Sequence, residues 1–567
     1  DLVVAAGSDG LFRRLAGVLG HPEWADDPRF VSNPARVEHQ HALYALIEAE
    51  MRGRSTEEWS ALLDDAGVPC APVQNVQQML GHPQTRALGM VQALPDSYLG
   101  PILRLRRGQK VRIDFINRLD QPSTVHWHGL HVPDTMDGHP RFAIGRGERY
   151  RYEFEVRNRA GTYWYHPHPH GHTGEQVYFG LAGLLLVSDE EEQALPLPRG
   201  QYDLPIVIQD RSFDDGNQLR YLSGTGPTAR GDASGAPSAP GNTMGGGGMM
   251  GGMMSRGAMM SGGMGDMMTR MMGFLGDTIL VNGRPDASIE VATHPYRLRI
   301  LNGSNSRIYK LAWQDGRPLT VIGTDGGLLE RPVHKDYVML APAERVELWA
   351  DFSKDDLGTQ LTLMSLAFEG SMGGMMGMMD GGPMAAMMDN SSLAAGAQFP
   401  IFKVNVARKT NARLELPERL SAVSWPRLQD AVNRAKPRAF RITMAQMQWG
   451  FDGRGFEMMA VAPNEVVKLG TTEVWEFAND SGMMTMAHPI HVHDPQFQVL
   501  ERRHGAASGG VRDGYVDQGW KDTVLVMPGD RVKLLMRFAD YPGLYLYHCH
   551  MLEHEDLGLM RNYRIET

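Results

Sequence analysis

"GLYLYHCHMLEHEDLGLM", residues 543–560, decides how this chain is read. Written as a strand, its first eight residues put Leu544, Leu546, His548 and His550 on one side and Tyr545, Tyr547 and Cys549 on the other, because side chains of an extended backbone alternate. In a helix the His548–His550 spacing would splay the two imidazoles apart. The stretch therefore asks for a β-strand that aims two imidazoles at one place and its thiol at another. The H-x-H spacing recurs in "HWHG" (His126, His128), "HPHPHG" (His166, His168, His170) and "HPIHVH" (His488, His491, His493). A lone H-x-H pair is more often structural than ligating. Four such segments, the last holding a cysteine, point to metal. A thiolate with two imidazoles in a trigonal set suits copper, and a structural zinc site has no use for the remaining histidines.

The sequence around these segments changes character once. From about residue 94 the apolar period is two: Tyr150, Tyr152, Phe154 and Val156 alternate with charged residues in "ERYRYEFEV", as do Val532, Leu534, Met536 and Phe538 in "RVKLLMRF". Many such runs, punctuated by Gly, Pro and Asp, predict a mainly β protein built of three sandwiches. Their spans are 94–195, 196–408 and 437–567, with a linker over 409–436. Residues 1–93 read as a small, mainly α-helical segment. In "STEEWSALLDDAG" Ser55 and Glu58 stand at capping-box spacing, Trp59, Leu62 and Leu63 share a face, and Gly67 ends the run. "LFRRLAGVLG" and "EHQHALYALIEAEM" carry the same helical period.

Two inserts, at about 223–273 and 371–389, hold 20 of the 37 methionines among glycines, so methionine is placed in loops here and not in cores. A formal charge of -10 without a basic stripe argues against a nucleic-acid partner, and the absence of an 18-residue apolar run argues against a membrane span. No basic, apolar, small-residue export signal opens the chain, which leaves the compartment open. Cys70 and Cys549 are the only cysteines, so a metal-bound Cys549 leaves no structural disulfide.

With these motifs in order, residues 94–567 resemble a three-domain bacterial multicopper oxidase. "HWHG", "HPH", "HPIHVH" and "HCHMLEHE" match that family's four copper motifs, and "GPILRLRRGQKVRIDFINRL", "GLAGLLLV", "GDTILVNG" and "GWKDTVLV" are similar to its scaffold segments. The resemblance implies three cupredoxin-like Greek-key domains and four copper ions per chain. It implies type 1 copper at His488, Cys549 and His554, and type 2 copper at His126 and His491. Type 3 copper falls to His128, His166 and His550 on one side and to His168, His493 and His548 on the other. Asp137 and Glu555 match acidic residues that deliver protons to dioxygen in similar oxidases, and His170 has no ligand role.

The implied activity is laccase-like oxidation of phenols, aromatic amines or Cu(I) coupled to reduction of dioxygen to water, by an exported or periplasmic monomer. A copper-sequestering or electron-transfer protein working through its Met-rich loops is the alternative. Ten places after Cys549, where similar enzymes commonly carry an axial methionine, stands Leu559, followed by Met560. Met484 and Met486, just before His488, are candidate thioether donors to substrate Cu(I).

Residues 1–93 resemble the later part of a family III CoA-transferase, in "FRRLAGVLGHPEWADDPRF", "GVPCAPVQNV" and "HPQTRALGM". The portion that carries that family's acyl-forming aspartate is missing, so transferase activity is not expected. "MVQALPDSYLG", residues 90–100, is the candidate for an edge strand of the first sandwich.

Overall fold

A computed structural model describes residues 2–72, 99–222, 265–369, 393–445, 448–480 and 486–567. The chain forms two compact units, Asp1–Leu94 and Pro95–Thr567. Met484, the insert at 371–389, most of the insert at 223–273 and all but the end of "MVQALPDSYLG" lie outside the described residues.

The first unit is helical, as its periodicity predicts. Helices α1 (Asp9–Val18), α2 (Asn33–Glu38), α3 (Gln40–Met51) and α4 (Thr56–Asp65) close around Phe12, Leu15, Phe30, Trp59 and Leu63. The Ser55 hydroxyl accepts the Glu58 N–H and the Glu58 carboxylate accepts the Ser55 N–H at 2.9 Å, so the capping box forms. Two details differ from the sequence reading. Leu62 is 37% exposed while Trp59 and Leu63 are buried, because it falls about 60° round the helix from Trp59 and reaches only the rim of the apolar stripe. The periodic run 38–51 is broken at His39, which ends α2 and precedes α3. A short antiparallel ribbon, β1 (Leu2–Val4) against β2 (Cys70–Pro72), ties the unit's ends together.

The second unit is mainly β. Its first part holds a four-stranded sheet in the order Leu103–Arg106, Gly183–Ser188, Gly161–Pro167, Val125–His128, and a ribbon of Lys110–Ile116 with Arg149–Glu155. On that ribbon Tyr152 and Phe154 turn inward while the charged residues between them stay outside, the alternation read from "ERYRYEFEV". An eight-stranded and a five-stranded sheet follow, and they share one core in which Ile206, Leu298 and Val346 of the first meet Leu361, Leu363 and Val404 of the second. Two five-stranded sheets make the last sandwich, with Phe440, Trp475 and Leu534 packed on Ile490, Tyr545 and Tyr563. Strand neighbours that are distant in sequence and parallel, such as Leu103–Arg106 with Gly183–Ser188 and Val466–Lys468 with Met560–Glu566, give these sandwiches crossed-over connections. Strict alternation fails in "RVKLLMRF": Leu535 is buried too, in a satellite cluster with Ala431 and Val474 that covers the sheet's outer face.

Five strands and one helix position the site. They are β3 (Val125–His128) and β4 (Gly161–Pro167), and then β5 (His488–Val492), β6 (Gly543–Cys549) and β7 (Met560–Glu566), which lie side by side in the order β7, β6, β5. A single turn of helix, α5 (Leu552–Asp556), connects β6 to β7. No helix of the described residues is long and apolar enough to cross a membrane.

Candidate metal centres

Strand β6 delivers its side chains as the alternation requires. Tyr545, Tyr547 and Cys549 enter the core of the last sandwich, and His548 takes the other face. Cys549 Sγ lies 3.4 Å from His488 Nδ1 and 3.7 Å from His554 Nδ1, and the two ring nitrogens are 3.3 Å apart. His488 comes from the adjacent strand β5 and His554 from α5, which folds the chain back over the thiol. All three are fully buried. His554 presents its other nitrogen, Nε2, to the backbone carbonyl of Met271 at 2.9 Å. A carbonyl only accepts, so Nε2 carries the proton and the Nδ1 lone pair faces Cys549. The same carbonyl accepts the Trp449 indole N–H at 3.3 Å.

The register of β6 against β7 settles which neighbour of the thiol is which. His548 stands opposite Met560, and the Cys549 N–H donates to the Leu559 carbonyl at 3.0 Å. Facing residues of an antiparallel pair share a side of the sheet. Leu559 therefore joins the cluster that contains Cys549, and Met560 falls on the His548 side. Met486 is in the Cys549 cluster as well, at 5% exposure.

The other histidines converge separately. Ligand atoms of His126, His128 and His491 lie within 4.8 Å of one another, as do those of His128, His166 and His550 and those of His168, His493 and His548. Backbone carbonyls hold the outward nitrogens: Nδ1 of His126 on Asp137 at 2.7 Å, of His491 on Asp522 at 2.7 Å, of His166 on Pro167 at 2.8 Å and of His548 on Cys549 at 3.0 Å. Each such bond places the proton on Nδ1 and leaves Nε2 as a bare lone pair. His126 Nε2 and His491 Nε2 then face each other at 3.3 Å in a dry interior with no proton to share. Among the described residues neither ring nitrogen of His550 has a hydrogen-bond partner, nor does Nε2 of His488. Facing lone pairs and orphaned imidazoles repel or go unsatisfied by themselves, and a cation among them resolves both.

The electrostatics agree. Burial holds the imidazoles of His128, His166, His168, His488, His491, His493 and His550 well below their usual titration range, with neighbouring histidines adding to the effect, so they stay in the neutral form that ligates. His554 is pushed down to about 4 by burial. Burial pushes the Cys549 thiol up, so a thiolate there needs a cation beside it.

Two buried carboxylates bridge histidines of different segments. Asp137 Oδ2 lies 2.6 Å from His493 Nδ1 and its Oδ1 3.4 Å from His126 Nδ1. Glu555 Oε2 lies 3.1 Å from His548 Nδ1 and its Oε1 3.4 Å from His168 Nδ1. Gly138, at φ 85°, lets the loop beside Asp137 run against the Val125 backbone where a Cβ would collide. A third carboxylate escapes sequence reasoning. Asp522, in "GWKDTVLV", accepts from His128 Nε2 at 3.0 Å, offers its carbonyl to His491, and is held by the Arg345 guanidinium at 2.7 Å. Its one signal in the sequence is an acid directly before the apolar strand Thr523–Val526. His170 is exposed, packs 4.9 Å from the Phe456 ring, and joins none of the histidine groups among the described residues.

β-Sandwiches that set a thiolate–imidazole site one peptide away from an eight-imidazole cluster define a multinuclear metalloprotein with a copper-type donor set. Residues 75–192 and 431–567 match family models described as multicopper oxidase, and residues 1–115 match one described as CoA-transferase family III. A laccase of Bacillus stratosphericus is 31% identical over 82% of this chain and 88% of its own length. The multicopper oxidase mco of Staphylococcus haemolyticus is 30% identical over 82% of each. The crystal structure of McoA multicopper oxidase from the hyperthermophile Aquifex aeolicus superposes with a TM-score of 0.64, at 33% identity, over 82% of this chain and 89% of that one. The chain belongs to the multicopper oxidase family. It is an oxidoreductase of mainly β, cupredoxin-like fold, and its histidine clusters fit the copper that the family implies.

Proposed function

We propose a laccase-like multicopper oxidase that oxidises phenols, aromatic amines or Cu(I) one electron at a time and reduces dioxygen to water. Four coppers are assigned: type 1 at His488, Cys549 and His554; type 2 at His126 and His491; type 3 at His128, His166 and His550 and at His168, His493 and His548. Bound copper supplies reversible one-electron chemistry, with four electrons needed for each dioxygen. The observation that carries the proposal is the run His548–Cys549–His550, three consecutive residues of which the middle one belongs to one group and its neighbours to two others. A single stretch of peptide thereby joins the electron-accepting site to the oxygen-reducing one.

The chain's own groups perform the rest. Asp137 accepts the outward N–H of His493, its other oxygen lies 3.4 Å from His126 Nδ1, and the Glu555 oxygens stand 3.1 and 3.4 Å from His548 and His168, so both carboxylates lie within reach of the protons that water formation consumes. Asp522 fixes His128 and His491 from the opposite direction. Oxygen uptake by the copper-loaded protein, with a phenol and separately with Cu(I), tests the proposal. No oxygen consumption with either would leave the copper-sequestering or electron-transfer reading in its place.

Access to the type 1 site bears on the choice of reductant. Met271, at the end of the first Met-rich insert and 2% exposed, occupies the outward nitrogen of His554 with its carbonyl. A bulky ring cannot meet that nitrogen while residues 265–272 stay in place, whereas a small soft ion can be passed along thioethers. Deleting residues 244–272 is expected to raise turnover of bulky phenols about tenfold and to lower that of Cu(I); unchanged ratios of the two rates would refute a role for the insert in selection. Met484 and Met486 remain candidate donors to that Cu(I), Met486 from within the Cys549 cluster.

Leu559 is assigned to the axial position as a non-ligand, on the support of its pairing with Cys549. Without axial sulfur, Cu(II) gains less stabilisation and the potential rises. Leu559→Met is expected to lower the type 1 potential by roughly 60 mV, a tenfold change for one electron, and Met560→Leu to leave it unchanged. Potentiometric titration of the blue absorption decides, and the reverse pattern would hand the axial role to Met560.

A further inference from the structure

Away from the histidine groups, an open cleft of about 500 Å³ is lined by four arginines, Arg107, Arg157, Arg159 and Arg537, against two carboxylates, Glu155 and Asp540. The carboxylates do not balance it. Asp540 is engaged by His131 Nδ1 at 3.1 Å and reaches Arg157 only at 3.5 Å. Arg159 spends one nitrogen on Glu191 at 3.3 Å, and its Nη1, shielded from solvent, meets no acceptor among the described residues. Among the described residues Arg107 and Arg537 have no carboxylate at ion-pair distance. In a chain of net charge -10, four guanidiniums gathered in one concavity are neutralised only in part, with Asp540 beside Arg157 and Glu191 beside Arg159. Guanidinium forks match tetrahedral oxyanions, and an excess of two guanidiniums over carboxylates in the lining favours a divalent over a monovalent one.

We propose that this cleft binds a divalent oxyanion of the phosphate or sulfate type, through Arg107, Arg157, Arg159 and Arg537. The site adjoins the histidine groups without belonging to them. Asn158, 3% exposed, donates from Nδ2 to the Gly129 carbonyl at 2.8 Å and accepts the His131 N–H at 2.9 Å, so the cleft's floor continues into the loop that follows His128. An anion held there tightens that loop, whatever reductant the enzyme uses.

Calorimetric titration of the copper-loaded protein with potassium sulfate, and separately with inorganic phosphate, against potassium chloride at equal ionic strength, tests this. Saturable 1:1 binding of both divalent anions is expected, with chloride giving none. Arg107→Gln and Arg537→Gln, both exposed positions, are each expected to weaken it about tenfold and together about a hundredfold, since hydrogen bonds to charged groups contribute on that scale. Hydrogen exchange of residues 129–131 should slow with sulfate in the parent protein and not in the double variant. Sulfate binding no stronger than chloride, or equal binding by parent and double variant, would overturn the proposal. Phosphate binding that persists in the double variant would mark extraction of copper or general salt exclusion, and would overturn it equally.

Discussion

Cys549→Ser is expected to abolish oxygen uptake with every reductant, by roughly a thousandfold or more, while the protein stays folded. Sγ is the one soft donor in its group, 3.4 and 3.7 Å from two imidazoles, and the residue carrying it is bonded directly to His548 and His550. A serine hydroxyl fills nearly the same volume and can accept the Met551 N–H that now points at Sγ from 3.4 Å, so the structural cost should stay within about 1–2 kcal/mol. The hydroxyl does not ionise or bind copper as a thiolate does, so the intense blue absorption should vanish. The histidine groups lose nothing, and metal analysis should still find their copper. Phenol-dependent oxygen uptake surviving in this variant would show that electrons enter the histidine cluster directly, and the proposed division of labour would fall.

Much of this architecture was legible in the sequence because it follows from local periodicity. The two-residue repeat in 543–550 separates Cys549 from His548, and it holds since both faces of β6 are buried and a one-residue slip would exchange them. The H-x-H segments were readable in part: His126 and His128 lie on β3 and share a group, whereas His168, His493 and His550 fall just past the ends of their strands and enter groups other than those of His166, His491 and His548. The segment 1–93 declared its helices through a capping box and an apolar stripe. The failures have a common physical origin in contacts between residues far apart in the chain. Nothing near Met271 says that its carbonyl will meet His554, 283 residues on. Asp522 reads as a strand-edge acid until His128 arrives from 394 positions away. Leu535 breaks its strand's alternation only because Ala431 and Val474 cover the outer face. Leu62 and the break at His39 are smaller errors of the same kind, in which the angular width of a helical stripe is set by what packs on it.

The second large effect is expected of Asp137→Asn, which should slow oxygen reduction by about 10²–10³ and leave the blue absorption untouched. Asp137 is fully buried and touches His126 and His493, residues of two segments assigned to different coppers, and it is absent from the group that holds Cys549. Asparagine preserves the shape, and the Asp137 backbone carbonyl still anchors His126. What the substitution removes is the negative charge and one of the two equivalent acceptor oxygens, so a proton can no longer be taken up and released at that carboxylate. Reduction of the type 1 site by a phenol should therefore proceed at the parent rate, and only its reoxidation by dioxygen should lag, a split that stopped-flow absorption resolves. Copper content separates this from a positioning defect: four coppers with slow reoxidation supports proton delivery, whereas loss of copper from the histidine groups would mean that the carboxylate chiefly orients its imidazoles. Glu555→Gln should behave alike at His168 and His548. It is the less clean experiment, because Glu555 follows His554 directly in α5 and a shift there reaches the type 1 site, so a bleached blue band in that variant would carry less weight than the same result at Asp137.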